Sequence, residues 1–252
     1  MCGHSWAACG ESAVGRRAVR RAPRRLAACD SVPSVSGELF PLPRERAELA
    51  PGAWHVPDWL SLDEQRELVV AARTWAAPPA GMRRVVMPSG GVMSVRSVSL
   101  GLHWEPYRYT EQLPTGERVK PFPPLLGGLA RRAVADVYGS IPTDPYDIGL
   151  VNFYDADAKM GLHRDADEDS PAPVVSLSIG DACVFRFGNT ETRTRPWTDV
   201  ELRGGDLVVF GGPSRLAYHG VPKIRPGTGD SATGLTTGRL NITIRASGRP
   251  AR

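Results

Sequence analysis

The chain has 252 residues, of which 41% are hydrophobic and 23% charged, a composition typical of a globular protein with one large or two small domains. No run of 18 or more apolar residues is present, so the sequence predicts no membrane-spanning helix. The formal net charge is +4, but residues 1–37 carry six arginines against two acidic residues, and the rest of the chain has 25 basic and 25 acidic side chains. Overall charge therefore gives no argument for nucleic-acid binding, which would need a local patch or the amino-terminal segment.

Residues 1–37 are rich in Ala, Arg, Ser and Gly and show no hydrophobic periodicity, which predicts a disordered basic extension. A transit peptide, a nucleic-acid-binding arm and an extension without function are the alternatives for this segment. Three of the four cysteines lie here, and no C-x-x-C pair occurs, so we expect no disulfide framework and a reducing, cytoplasmic compartment. A single domain is expected over 38–252.

Two helices are predicted in the first half of this domain. A capping box at Ser61 and Glu64 begins the first one, because each side chain satisfies a free backbone N–H at a helix start. Its apolar stripe ends at Pro78. A second apolar stripe predicts a helix over 124–138, which Gly139 terminates.

The segment 82–122 lies between the two helices and mixes aromatic and basic residues. A strand is predicted over 92–102, followed by Trp104, Tyr107 and Arg108 in a polar stretch. Aromatics interleaved with cations suit stacking on unpaired bases, at about 1–3 kcal/mol per base. The alternative is a pair of surface hairpins whose aromatic side chains cover the core.

From residue 147 onward, short strands alternate with Gly, Pro, Asn and Asp, the pattern of a β-sandwich or barrel with helices on one side. The predicted strands span residues 147–154, 173–179, 182–187, 206–210, 216–220 and 239–245.

Two histidines and an aspartate form a candidate metal site in this region. His163 and Asp165 are separated by one residue, and His219 follows in the sequence SRLAYHG. A site of two histidines and one carboxylate is typical of non-haem Fe(II) oxygenases, where it leaves positions open for cosubstrate and oxygen. Zinc with a bound water is the competing assignment.

The last predicted strand carries a second candidate site. Because side chains alternate along a strand, Arg239, Asn241, Thr243 and Arg245 share one face. Two arginines without an acidic neighbour suit a ligand with carboxylates, since a guanidinium binds a carboxylate through two hydrogen bonds. The alternative is a half-buried strand with a polar outer face.

Four segments in this order, NFYDADAKMGLHRDADE, PVVSLSIGDACVFRFG, GDLVVFGGPSRLAYHG and RLNITIR, resemble the AlkB family of Fe(II)/2-oxoglutarate-dependent nucleic-acid dealkylating dioxygenases. The resemblance covers residues 80–246. It implies an α+β, mainly β fold with a double-stranded β-helix (jelly-roll) core over 147–246 and supporting helices. It also implies a nucleotide-recognition lid over 82–122.

The family resemblance assigns roles to individual residues. It implies that Fe(II) binds His163, Asp165 and His219. The implied 2-oxoglutarate residues are Asn152, Tyr154, Arg239, Asn241 and Arg245. Three residues are implied for the substrate: Asp167 facing the damaged base, Trp104 stacking on it, and Tyr107 near the nucleic-acid backbone.

The implied reaction is oxidative demethylation of N-alkylated bases in DNA, such as N1-methyladenine and N3-methylcytosine, with release of formaldehyde. 2-Oxoglutarate and O2 would become succinate and CO2. The base would be flipped out or already single-stranded, since its reactive atom is inaccessible inside a duplex. We expect a monomer without membrane contact. The alternatives are an oxygenase of this fold acting on RNA, protein or a small molecule, and an inactive nucleic-acid-binding module.

Overall fold

A computed structural model describes residues 43–249 of the chain, apart from Tyr107. The extension predicted for residues 1–37 and the predicted lid residue Tyr107 therefore lie outside the described residues. The described part belongs to one unit by its internal contacts.

Both predicted helices are confirmed. Helix α1 spans Leu62–Ala76, and its capping box is complete: Ser61 Oγ accepts from the Glu64 N–H at 3.2 Å, and Glu64 Oε2 accepts from the Ser61 N–H at 2.9 Å. Helix α2 spans Pro124–Tyr138 and ends at Gly139 in the left-handed conformation. Between residues 43 and 249, no helix is both long and apolar enough to cross a bilayer.

The strands form three antiparallel sheets. In chain order they are β1 Ala47–Ala50, β2 Ala53–Val56, β3 Arg83–Val86, β4 Val92–Leu100, β5 His103–Glu105, β6 Arg108–Thr110, β7 Ile148–Tyr154, β8 Met160–His163, β9 Val174–Gly180, β10 Ala182–Phe187, β11 Thr198–Leu202, β12 Leu207–Phe210, β13 His219–Arg225 and β14 Arg239–Arg245. The large sheet has the order β1-β2-β12-β9-β14-β7-β4-β3 and the small one β11-β10-β13-β8, while β5 and β6 form a hairpin of their own.

The two larger sheets and the helices pack in layers. One apolar cluster joins the helices to the large sheet, with Leu68 from α1, Leu126 from α2 and Ile242 from β14. A second cluster fills the space between the two sheets, with Phe185 from the small sheet and Phe210 from the large one. This arrangement is the double-stranded β-helix with supporting helices, and the predicted fold class is confirmed.

The strand β13 lies further along the chain than the predicted strand 216–220. It begins at His219 and continues to Arg225, through a proline that has no N–H for a central strand. Pro222 lies where the pairing with β10 shifts, beside Phe185. A β-bulge leaves one residue of a strand unpaired, so the missing N–H of Pro222 costs no hydrogen bond to β10. The strand therefore continues through the proline.

The segment 82–122 contributes to two sheets. β3 and β4 extend the edge of the large sheet, where β4 pairs with β7. The β5–β6 hairpin follows, with Trp104 opposite Tyr109. The assignment of the whole segment as a lid stays a prediction.

Candidate metal and cosubstrate site

Three side chains from two segments converge between the sheets, and we call them the metal triad: His163, Asp165 and His219. His163 Nε2 lies 3.7 Å from Asp165 Oδ1, and His219 Nε2 lies 3.6 Å from Asp165 Oδ2. One possible ligand atom from each residue lies within 4.8 Å of the others. The pairing of β8 with β13 sets the two histidines opposite each other. Three ligands so placed occupy one face of an ion.

Backbone carbonyls determine which nitrogen of each imidazole carries hydrogen. His163 Nδ1 lies 3.0 Å from Gly161 O, and His219 Nδ1 lies 3.0 Å from Ala217 O. Because a carbonyl only accepts, each Nδ1 donates, and the neutral tautomer that this bond selects has its lone pair on Nε2. Both Nε2 atoms lie close to Asp165, as metal-binding histidines require.

Charge and burial in the triad also suit a cation. Burial alone would raise the pKa of Asp165, but Arg245, His219 and His163 lower it to about 2, so the carboxylate is ionised at neutral pH. Burial lowers the pKa of His219 to about 4, which keeps its imidazole neutral. Asp165 Oδ2 is buried without a hydrogen-bond partner. A buried, unpaired carboxylate oxygen beside two imidazole lone pairs is costly without a cation, so these residues fit a divalent metal.

Gly220 keeps the two histidines within reach of one ion. A Cβ at this position would lie 2.7 Å from Met160 O and 2.9 Å from Gly161 O. Any other residue would force β13 away from β8 and would separate His219 from His163.

Arg239, at the start of β14, is 1% exposed but uses only part of its guanidinium. Its Nη2 donates to Ser178 Oγ at 2.9 Å, whereas Nε and Nη1 are buried without a partner. A buried cation with free donors requires an anion, and a carboxylate can accept from such a donor. Arg239 therefore fits one carboxylate of 2-oxoglutarate.

Arg245, at the other end of β14, is already engaged. Its Nη2 lies 2.5 Å from Asp165 Oδ1, and its Nη1 donates to Glu168 Oε1 at 3.0 Å and to the Tyr109 hydroxyl at 2.9 Å. Only the buried Nε lacks a partner. Binding of a cosubstrate carboxylate by Arg245 stays a prediction, and no sequence pattern indicated the ion pair with Asp165.

The other three predicted cosubstrate residues lie next to Arg239. The register of β7 and β14 sets Tyr154 opposite Arg239 and Asn152 opposite Asn241. Asn241 Nδ2 donates to Ser176 Oγ at 2.8 Å and to a backbone carbonyl at 3.2 Å, so this amide is held within the large sheet. We call the cavity-facing side of β7 and β14 the floor; it carries the five predicted cosubstrate residues, Asn152, Tyr154, Arg239, Asn241 and Arg245. Contact of Asn152, Tyr154 and Asn241 with 2-oxoglutarate remains predicted.

Two predicted substrate residues are in direct contact. Trp104 Nε1, on β5, donates to Asp167 Oδ2 at 2.8 Å. Asp167 follows the predicted metal ligand Asp165 by two residues, so the β5–β6 hairpin is bound to the segment that carries His163 and Asp165.

One cavity of about 480 Å³ unites these groups. Every predicted site residue in the described part of the chain lines it: Trp104, Asn152, Tyr154, His163, Asp165, Asp167, His219, Arg239, Asn241 and Arg245.

The cavity also has a polar wall that the sequence patterns did not reveal. Arg83 Nη2 lies 2.8 Å from His103 Nδ1, and burial followed by the charge of Arg83 lowers the pKa of His103 to about 4. The sequence carries no signal for this wall, because β3 reads Arg-Arg-Val-Val and its alternate burial appears only in the structure. This segment was too short to recognise as a strand.

The cavity entrance carries two arginines on an aromatic ring, and we call this group the rim: Arg164, Arg193 and Tyr218. The guanidinium groups lie 4.8 Å and 5.7 Å from the ring centroid of Tyr218. Both arginines are exposed and line the cavity. Within residues 43–249, neither has an ion-pair partner, whereas Arg186 close by in the chain pairs with Asp199.

Comparison with known proteins supports the assignment that the geometry of the site indicates. The model of the 2OG-Fe(II) oxygenase superfamily matches residues 52–245. The chain is 39% identical over 206 residues to the alpha-ketoglutarate-dependent dioxygenase AlkB homolog of Caulobacter vibrioides, covering 78% of this chain and 88% of that protein.

Two further similarities are to ALKBH1 proteins. The chain is 29% identical over 220 residues to the DNA N(6)-methyladenine demethylase ALKBH1D of Arabidopsis thaliana, covering 78% of this chain and 50% of that protein. The solved structure of OsALKBH1 superimposes with a TM-score of 0.72 at 30% identity, covering 80% of this chain and all of that one. The family resemblance seen in the motifs is confirmed.

Proposed function

Since the chain belongs to the AlkB family of the 2OG-Fe(II) oxygenase superfamily, and is therefore a dioxygenase that uses Fe(II) and 2-oxoglutarate, we propose that it oxidatively demethylates N-alkylated bases in DNA. N1-methyladenine and N3-methylcytosine are the proposed lesions. The name of the Arabidopsis relative assigns that protein to a methylated adenine in DNA, which supports the choice of nucleic acid.

The observation that carries this proposal is the contact between Trp104 and Asp167 in the same cavity as the metal triad. An aromatic ring offers a stacking surface to a base, and a carboxylate accepts a hydrogen bond from an exocyclic amino group or attracts a cationic alkylated ring. An oxygenase for a small aliphatic substrate has no need of this pair beside its metal.

Bound iron with 2-oxoglutarate and O2 supplies the oxidant that hydroxylates the alkyl carbon, and the hydroxylated carbon leaves the base nitrogen as formaldehyde. The chain's residues hold the participants in place. His163, Asp165 and His219 would hold the metal, and Arg239 would bind one carboxylate of 2-oxoglutarate. Trp104 and Asp167 would orient the base.

The proposed substrate form is a single-stranded or flipped-out nucleotide. An alkyl group on the Watson–Crick edge weakens pairing and so reduces the cost of extrusion. The rim supports this form, because exposed arginines stacked on an aromatic ring suit the backbone next to an extruded base. We propose a monomer in the cytoplasm, a compartment consistent with the buried free thiol of Cys183.

The decisive experiment measures formaldehyde from short single-stranded DNA that carries N1-methyladenine or N3-methylcytosine, with Fe(II), 2-oxoglutarate and ascorbate. We expect release that depends on both the lesion and the cosubstrate. An unmethylated strand of the same sequence is the control for background.

The second candidate is an oxygenase of the same fold with another substrate, such as RNA, protein or a small molecule. Lesion-independent succinate formation without formaldehyde from DNA would overturn the DNA proposal and favour this candidate. A matched methylated RNA strand then separates RNA from the remaining classes.

A further inference from the structure

Glu168 is the last acidic residue of the HRDADE sequence and belongs neither to the metal triad nor to the floor. Its side chain is fully buried, at 0% exposure. Oε1 accepts from the Tyr109 hydroxyl at 2.5 Å and from Arg245 Nη1 at 3.0 Å, and Oε2 accepts from Arg215 Nη2 at 2.9 Å. Both oxygens are therefore occupied by protein donors, so Glu168 does not depend on a ligand for its pairing.

The partners of Glu168 lead directly to the metal ligand. Arg245 pairs with Asp165 Oδ1 as well as with Glu168. Arg215 Nη1 also donates to the Asp165 backbone carbonyl at 2.6 Å. The two arginines thus hold Asp165 by its side chain and by its main chain. Two buried carboxylates balance two buried guanidiniums, which a charged cluster in the interior requires.

The same carboxylate also holds the β5–β6 hairpin. Tyr109 lies on β6 opposite Trp104 on β5, and its hydroxyl is bound by Glu168. Trp104 is bound separately by Asp167. Two consecutive acidic residues therefore fix two facing residues of the hairpin, at a point three residues beyond Asp165.

We infer that Glu168 is a positioning residue that fixes the β5–β6 hairpin relative to Asp165, so that the stacking surface for the base stays aligned with the metal. Glu168 touches neither the metal nor the base; it acts through Arg245, Arg215 and Tyr109. The part of the inference that concerns the base rests on the proposed function. The mechanical link between hairpin and metal ligand does not.

Removal of this link should uncouple cosubstrate turnover from hydroxylation of the base, which the native protein keeps together. Without Glu168, the hairpin keeps the hydrogen bond of Trp104 to Asp167 and that of Arg245 to the Tyr109 hydroxyl, but Tyr109 loses its charged acceptor, and Arg245 and Arg215 lose a shared counter-charge. Cosubstrate turnover then proceeds more often without hydroxylation of an aligned base. The expected signature is a higher ratio of succinate to formaldehyde, rather than an equal decrease of both products.

The first test uses hydrogen exchange of the metal-free full chain and needs no substrate. In Glu168→Gln, amides in residues 103–110 should exchange about tenfold faster, because the Tyr109 hydroxyl loses its charged acceptor and an amide NH2 group is brought against the two arginines. Helix α1 serves as the internal control and should exchange as in the wild type. Glu117→Gln, a change at an exposed carboxylate of the same segment, is the matched control variant.

Tyr109→Phe provides the second variant, because it removes one hydroxyl and leaves the ion pairs of Glu168 intact. It should also accelerate exchange in 103–110 and raise the succinate-to-formaldehyde ratio several-fold with a methylated strand. This variant keeps the inference testable if Glu168→Gln does not fold.

Wild-type exchange in 103–110 for both variants would overturn the link between Glu168 and the hairpin. Faster exchange with an unchanged product ratio would overturn its role in alignment. If the wild-type enzyme forms no formaldehyde from DNA, the proposed function fails, but the exchange measurement still decides whether Glu168 holds the hairpin.

Discussion

The floor and the rim of the cavity both carry arginines, but the structure holds them in opposite ways. Arg239 and Arg245 lie on a central strand of the large sheet, paired on both sides and almost fully buried. Arg164 and Arg193 are exposed and rest on the ring of Tyr218. The floor arginines have fixed positions and few free donors, whereas the rim arginines present most of their donors to solvent.

This difference indicates two kinds of anion. A buried guanidinium with two free nitrogens suits one small carboxylate in one orientation, because the cost of desolvation is recovered only with good geometry. An exposed guanidinium suits phosphates of a chain whose exact position varies, since its attraction is largely electrostatic. The floor should therefore control the chemical step, whereas the rim should control association with the nucleic-acid backbone.

The largest effect is expected from removing the carboxylate of the metal triad, which Arg245 of the floor binds. Asp165→Ala removes a metal ligand and leaves Arg245 without its ion-pair partner, so succinate and formaldehyde formation should both fall to background. The measurement is product formation with Fe(II) binding followed in parallel. Asp63→Ala, at an exposed carboxylate of helix α1, is the control. Activity retained by Asp165→Ala would remove Asp165 from the metal site.

Removal of the two floor arginines should have different effects, one on cosubstrate binding and the other on the stability of the fold. Arg239→Met removes the buried guanidinium with its free donors, so the KM for 2-oxoglutarate should rise by about two orders of magnitude, corresponding to about 3 kcal/mol for one partner of a buried charge pair. Arg245→Met leaves Asp165 without its ion-pair partner and Glu168 with Arg215 alone, so it should lower the free energy of unfolding by about 3–5 kcal/mol. Cosubstrate kinetics and urea denaturation separate the two effects. Equal destabilisation by both changes would contradict the different roles.

A change in the β5–β6 hairpin tests whether the chemistry at the floor is independent of base binding. Trp104→Ala should reduce demethylation about 5- to 150-fold, the decrease expected for about 1–3 kcal/mol of stacking. Decay of 2-oxoglutarate without substrate should fall much less, because the floor is untouched. An equal decrease in both assays would argue against stacking.

The smallest effect on chemistry is expected at the rim. Arg164→Ala with Arg193→Ala should weaken binding of an unmodified single strand and reduce the slope of log affinity against log salt by about 0.7 for each phosphate that the two side chains neutralise. The control is Arg203→Ala, since Arg203 is exposed but paired with Glu201 at 2.9 Å. An unchanged salt slope in the double variant would exclude the rim as a binding site for the backbone.

The sequence predicted the parts of the fold that local chemistry determines. The bounds of α2 follow from its apolar stripe and Gly139, and the start of α1 follows from the capping box at Ser61 and Glu64. The short strands β5, β6 and β8 were missed, because three or four residues give no period that exceeds chance. Their pairing depends on partners distant in the chain.

The candidate site shows the same limit. Residue types and spacing were sufficient to bring His163, Asp165 and His219 together as a prediction. The alternation along β14 correctly predicted which residues share its polar face. The alternative interpretation, a half-buried strand with this face turned outward, was wrong, since all seven residues are buried. A polar face can be buried when a cavity lies over it. The ion pair of Arg245 with Asp165 joins residues from distant segments, which no local pattern encodes.

The position of β14 has a thermodynamic consequence. One strand carries both Arg239, which suits a carboxylate of the cosubstrate, and Arg245, which forms an ion pair with Asp165 of the metal triad. Any factor that the metal contributes to the affinity of the cosubstrate is therefore returned in equal measure to the affinity of the metal. A dissociation constant for 2-oxoglutarate therefore describes a metal-loading state as much as it describes Arg239, and titrations are comparable only at a stated metal occupancy.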